Sequence, residues 1–309
     1  MTTKLDVTFE SSGISIAAHL FLPDIAELGG LPGIVVGHPG ASVKEQSSGL
    51  YAERLAQRGL VTVAFDAAYQ GASGGMPRGL EDPAQRIEDI KSAVSFLTTR
   101  PEVDAARIGV LGVCASGGYS LPATASDHRI KAVATVSAAD VARQFRLGAD
   151  GSQDPAVFQG MLDAAAEART AAARREVQAS CRCSLGTPSR PAPWVASTGR
   201  GIRVLLHPPW SARARRHVLR LDERRQDGDL RRLLADRADR PAAAADGRGD
   251  ACRHRWMSIA AFQLATGPKE LFWIDGASHV DLYDREPHVT AAVDRIVPFF
   301  QDGLQAGHA

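Results

Sequence analysis

Between residues 31 and 136, four short apolar runs recur at intervals: LPGIVVG, LVTVAFDAA, RIGVLGVC and RIKAVATV. The runs are continuously apolar rather than alternating, which is what strands buried on both faces of a sheet require. The segments between them have helical period. SSGLYAERLAQRG closes on Gly59, a C-terminal stop. DPAQRIEDIKSAVSFLTTR carries Pro83 near its first turn and places Ile87, Ile90, Val94 and Leu97 on one face. Strands alternating with helices of this length predict right-handed βαβ units and a mostly parallel central sheet flanked by helices. Ahead of them, KLDVTFESSGISIAAHLFLP alternates around a Ser-Ser-Gly turn and predicts an antiparallel hairpin. Further on, DPAVFQGMLDAAAEARTAAARREVQ predicts a long helix. KELFWIDGASHVDLYD predicts a strand that delivers a histidine onto a loop, and EPHVTAAVDRIVPFFQDGL an amphipathic closing helix.

The 309 residues suffice for one large core with a cap over it. We read residues 1–309 as one α/β domain, with 141–256 as a small cap region that includes an anomalous arginine-rich segment. A formal net charge of +1 gives no long-range attraction to nucleic acid or anionic membrane. No apolar run reaches the roughly 18 residues a membrane helix needs. The opening MTTKLDVTFESSG lacks a basic-then-apolar signal, and four cysteines are too few for a disulfide scaffold. Reduced thiols in the cytoplasm are therefore expected.

The run RIGVLGVCASGGYS, Arg107–Ser120, drives a buried strand straight into a small-residue helix. A sharp strand–turn–helix exposes one side chain at its apex and needs small residues two positions to each side. Centred on Cys114, the flanks are Gly112 and Ser116; centred on Ser116, they are Cys114 and Gly118. The first parse puts glycine where backbone crowding is worst, so Cys114 is the expected nucleophile and Ser116 the alternative. Four spaced motifs, GVCASGG, HPGASVKEQ, FDAAYQGASGG and DGASHVDLYD, resemble those of the α/β-hydrolase superfamily, in its dienelactone-hydrolase-like branch. The likeness covers roughly residues 5–175 and 257–303. It implies an α/β-hydrolase fold and a Cys/His/Asp triad using Cys114 and His279. An oxyanion hole would come from the N–H of Ala115 and from the His38–Ala41 loop at Gly40 or Ala41. The implied substrate is a small-molecule carboxylic ester, lactone or thioester. No metal or organic cofactor is implied, and no nucleic acid or membrane partner; a homo-oligomer is admitted. Asp66 precedes the nucleophile, so in the fold's order of nucleophile, acid, histidine it reads as structural.

That order demands an acid between about residues 180 and 265. There, from Ala179 to Trp256, the chain has no Phe, Tyr, Lys or Met, a single isoleucine, Ile202, and scattered arginines. Interleaved acids and scarce aromatics argue against an RNA-binding insert. Cys181, Cys183, Cys252 and His254 lack the paired spacing of a zinc site. A disordered linker is admissible by composition, but would take a core strand out of the sheet. Translation out of frame accounts for more. Dropping one nucleotide across Pro241–Asp246, PAAAAD, turns each step into CNG, which permits a run of leucines. The same shift across Cys252-Arg253-His254 permits Ala-Asp-Thr, and across Gly201–Trp210 it restores tyrosines. Residues about 179–256 are then expected to be disordered or misfolded, with the codon of the acid straddling Arg253 and His254. The consequence is an impaired hydrolase or acyltransferase. The alternatives are a non-catalytic binding protein of the same fold and an inactive product of a frameshifted gene.

Overall fold

The computed structural model describes residues 2–25, 29–173, 203–204, 255–265 and 268–305. The hairpin forms from β1 (Thr2–Ser11) and β2 (Ile14–Pro23), in register around a turn where Ser12 and Gly13 both take positive φ. β3 (Leu31–Gly37), β4 (Val61–Phe65), β6 (Val103–Val113) and β7 (Ile130–Val136) are the four apolar runs, and all pair in parallel. The sheet order among the described residues is β1-β2-β4-β3-β6-β7, with β2 antiparallel to β4. A second, two-stranded pairing joins β5 (Leu80–Glu81) to β8 (Arg203–Val204).

Period-2 alternation divides the strand side chains between two cores. On one face Val35, Val63 and Val110 pack against Ile90, Val94 and Leu97 of α2 (Pro83–Thr98) and Tyr119 of α3 (Ala115–Ser126). On the other, Ile34, Val36, Ala64 and Leu111 meet Tyr51 and Leu55 of α1 (Ser47–Ala56). The same core takes the closing helix, which presents Val289, Val293, Val297 and Phe300. Full burial of each such side chain contributes on the order of 1.5–3 kcal/mol, so both helices are held by packing rather than by propensity. α2 starts where its sequence requires: Asp82 accepts from the N–H groups of Ala84 (3.0 Å) and Gln85 (3.4 Å), with Pro83 at the first helical position.

Beyond β7, α4 (Val141–Leu147) and α5 (Pro155–Ala173) pack on each other, and α4 buries no side chain. α6 (Arg255–Leu264) returns to this region, where the buried Met257 accepts from the Asp140 N–H through its sulfur at 3.3 Å. A short α7 (Asp281–Asp284) precedes α8 (Glu286–Gly303), the closing helix.

One expected element differs. Residues 268–277 form no strand: the backbone runs irregularly into a turn. A strand exists by pairing with a neighbour, and no described residue pairs with this segment. Apart from Arg203 and Val204, the anomalous segment expected at about 179–256 lies outside the described residues up to His254. So do Cys181, Cys183, Cys252 and His254. No helix among the described residues is long and apolar enough to cross a membrane.

Candidate active site

At the end of β6 the chain turns sharply at Cys114, with φ 53° and ψ −115°. An L-residue held there costs on the order of 1–3 kcal/mol. Hydrogen bonds on both sides enforce it. The Cys114 N–H donates to Val136 O at 2.9 Å, and its carbonyl accepts from the Gly117 and Ala139 N–H groups, each at 2.9 Å. A Cβ on Gly112 would lie 2.4 Å from Ser116 O and 2.5 Å from Ser120 Oγ. Glycine is therefore required at that flank.

Cys114 is the residue before the first turn of α3, so its side chain faces the positive end of the helix dipole. The Ala115 and Gly40 N–H groups and the Tyr283 hydroxyl are the donors near it that favour its thiolate. Burial nevertheless raises the thiol above its ordinary pKa; those three donors pull it down, and Glu81 adds to the rise. A thiol so placed is protonated at neutral pH and needs a base within reach. One is there: His279 Nε2 lies 3.4 Å from Cys114 Sγ.

His279 stands on the loop before α7. Ser137, in the bend after β7, donates its hydroxyl to the His279 carbonyl at 3.2 Å. Asp281 accepts from Ser278, from the N–H at 3.0 Å and from the hydroxyl at 2.7 Å. The same imidazole nitrogen meets the Tyr283 hydroxyl at 3.0 Å, and the two rings pack edge to face. Tyr283 escaped the sequence reading. The signal was available in its spacing, because His279 and Tyr283 are four apart, one helical turn, within HVDLY.

The other candidates separate cleanly. Ser116 is buried, and its hydroxyl donates to His38 O at 2.6 Å and accepts from Arg86 at 2.9 Å. Bound in this way it is part of the floor of the elbow. His38 is also wholly buried. Its Nε2 accepts from the Ala67 N–H at 3.0 Å, while burial and the Arg86 charge hold its pKa well below the usual histidine range. It is therefore neutral and structural. Gly40 carries the loop N–H that favours the thiolate, and Ala41, with φ 54°, bends the chain after it. Asp66 is buried and accepts from the Lys44 N–H (2.7 Å), Lys44 Nζ (2.9 Å) and the Ala72 N–H (2.7 Å). It clamps the loop carrying Gly40 to the loop after β4, the structural role that its place in the chain implies.

No family model matches the chain. It is 35% identical over 311 residues to the protein PA2218 of Pseudomonas aeruginosa, covering 96% of this chain and 80% of that one. The crystal structure of PA2218 superposes with a TM-score of 0.73 at 32% identity, over 98% of this chain and 94% of that one. The α/β hydrolase GrgF from a Penicillium species shares the fold, with a TM-score of 0.64 at 19% identity over 98% of this chain and 99% of that one. A shorter match, 35% identity over 124 residues, reaches the thiohydrolase aneE of Aspergillus aculeatus and covers 40% of this chain and 38% of that one. With PA2218, then, the chain belongs to one family, and with GrgF it shares the α/β-hydrolase fold.

Proposed function

We propose that this chain is a hydrolase or acyltransferase of the dienelactone-hydrolase-like branch, acting on a carboxylic ester, lactone or thioester through a cysteine acyl-enzyme. The observation that carries the reading is the 3.4 Å approach of His279 Nε2 to Cys114 Sγ at a positive-φ elbow. His279 takes the thiol proton as Sγ attacks the acyl carbon. The Ala115 and Gly40 N–H groups, the donors that favour the thiolate, then hold the oxyanion, which is usually the largest catalytic contribution. Collapse expels the alcohol or thiol, which leaves with the proton from His279, and water or a second acceptor releases the acyl group. The similarity to a thiohydrolase supports a thioester among the substrates. We assign residues 141–256 to a small cap, most of which lies outside the described residues.

The full chain, incubated with a slowly turned-over thioester, should carry the acyl group on Cys114 by mass spectrometry. Cys114→Ala should abolish labelling and Ser116→Ala should leave it measurable; the reverse pattern would overturn the assignment.

The second part of the reading concerns the acid. Arg253 and His254 stand where a shifted frame would encode it. In hydrolases of this type, loss of the acid costs up to about 10⁴-fold in rate. Sequencing the DNA from the codon of Arg169 to that of Lys269 decides between the readings. If the alternative frame spells a leucine-rich strand and then Ala-Asp-Thr, the segment is out of frame. If it spells neither, the arginine-rich stretch is genuine and the acid belongs elsewhere.

A further inference from the structure

Granting that Cys114 is the nucleophile, we propose that Tyr283 is a further catalytic residue of this site, its hydroxyl donating to Cys114 Sγ while sharing His279 Nε2. The placement is built rather than incidental. Tyr283 lies on α7, whose Leu282 carbonyl accepts from the buried Tyr51 hydroxyl of α1 at 2.8 Å. The Asp281–Ser278 hydrogen bonds fix the turn before it. The ring packs edge-on against His279, with centroids 5.6 Å apart, which sets the hydroxyl 3.0 Å from Nε2.

The donor count then assigns the role. A neutral imidazole has one lone pair at Nε2 and can accept one of the two protons offered, from the thiol or from the phenol. While the thiol donates to Nε2, the phenol's remaining acceptor is the sulfur. Once the proton has moved to His279, the sulfur is a thiolate, and the Tyr283 O–H bond to it becomes charge-assisted and roughly twice as strong. Tyr283 keeps its own proton throughout, because burial and the neighbouring Cys114 push its pKa far up. The hydroxyl thus stabilises the thiolate that attacks. After acylation the sulfur carries no charge. The hydroxyl remains beside Nε2, where it competes with an incoming water for the base. Removing it should slow acylation and leave deacylation undiminished, a split that loose packing would not produce.

Among the described residues, the groups that bear on the charge of the sulfur are His279 and Tyr283 from the C-terminal segment, Glu81 from β5, Tyr119 from α3, and the Gly40 and Ala115 amides. Tyr283→Phe removes one donor to the thiolate and leaves the rest. Its thiol should titrate about one pH unit higher. At a pH below both midpoints, iodoacetamide should alkylate Cys114 about tenfold more slowly than in the parent chain. Tyr51→Phe is the control: it loosens the anchor of α7 while keeping the Tyr283 hydroxyl, and its alkylation midpoint should stay with the parent. Equal profiles for Tyr283→Phe and the parent would overturn the proposal, as would a Tyr51→Phe profile that moves as far as that of Tyr283→Phe. The thioester experiment separates the two failures. If the parent is not acylated on Cys114, both readings fall; if it is acylated and Tyr283→Phe titrates as the parent does, only the role of Tyr283 falls.

Discussion

Cys114 stands on backbone gripped from both sides: a parallel strand pair beneath it, a helix starting above it, and three hydrogen bonds on its own peptide groups. His279, its partner across 3.4 Å, stands on a loop where, among the described residues, Ser137 donates to its carbonyl and Asp281 accepts from Ser278. The nucleophile is placed by hard sterics and sheet hydrogen bonds, which admit almost no alternative geometry. The base is placed by polar contacts, each contributing about 1 kcal/mol. Damage to the two halves should therefore differ in kind. On the nucleophile's side the elbow fails together with the fold. On the base's side the fold survives and the contact loosens.

Gly112→Val tests the rigid half and should have the larger effect. Its side chain would be driven into the Ser116 carbonyl and the Ser120 hydroxyl. Overpacking against backbone that cannot move costs about 3 kcal/mol, the upper end of its usual range, read as a lowered midpoint in urea together with lost labelling of Cys114. A variant that kept parental stability and labelling would show that the elbow is softer than its contacts imply. Asp281→Ala tests the other half, with a smaller expected effect. It removes the two bonds to Ser278 and should lower the rate of Cys114 acylation about tenfold, while stability shifts by about 1 kcal/mol. A stability loss as large as that of Gly112→Val would erase the contrast between the halves.

The rigid half was also the legible half. Strands β3, β4, β6 and β7, helices α1 to α3 and the crowding at Gly112 follow from local periodicity and sterics, which act over a few residues. Ser116 was the residue that local pattern left ambiguous. Both elbow parses satisfy the small-flank rule, and only Arg86 and the His38 carbonyl, 30 and 78 positions away, show that its hydroxyl is engaged. The strand expected at 269–274 shows the opposite limit. FWI is apolar enough for a strand, but pairing needs a neighbour that the segment cannot supply from its own composition.

The order of strands and helices and the sharp turn at Cys114 were written in residue types and spacing, because steric and periodic constraints are short-ranged. Tertiary structure alone decided that His279 reaches Cys114 across 165 positions. It also decided that Tyr283 joins the pair. Contacts between distant segments depend on how the closing helix and the β7 bend dock on the sheet, and no local pattern encodes that distance.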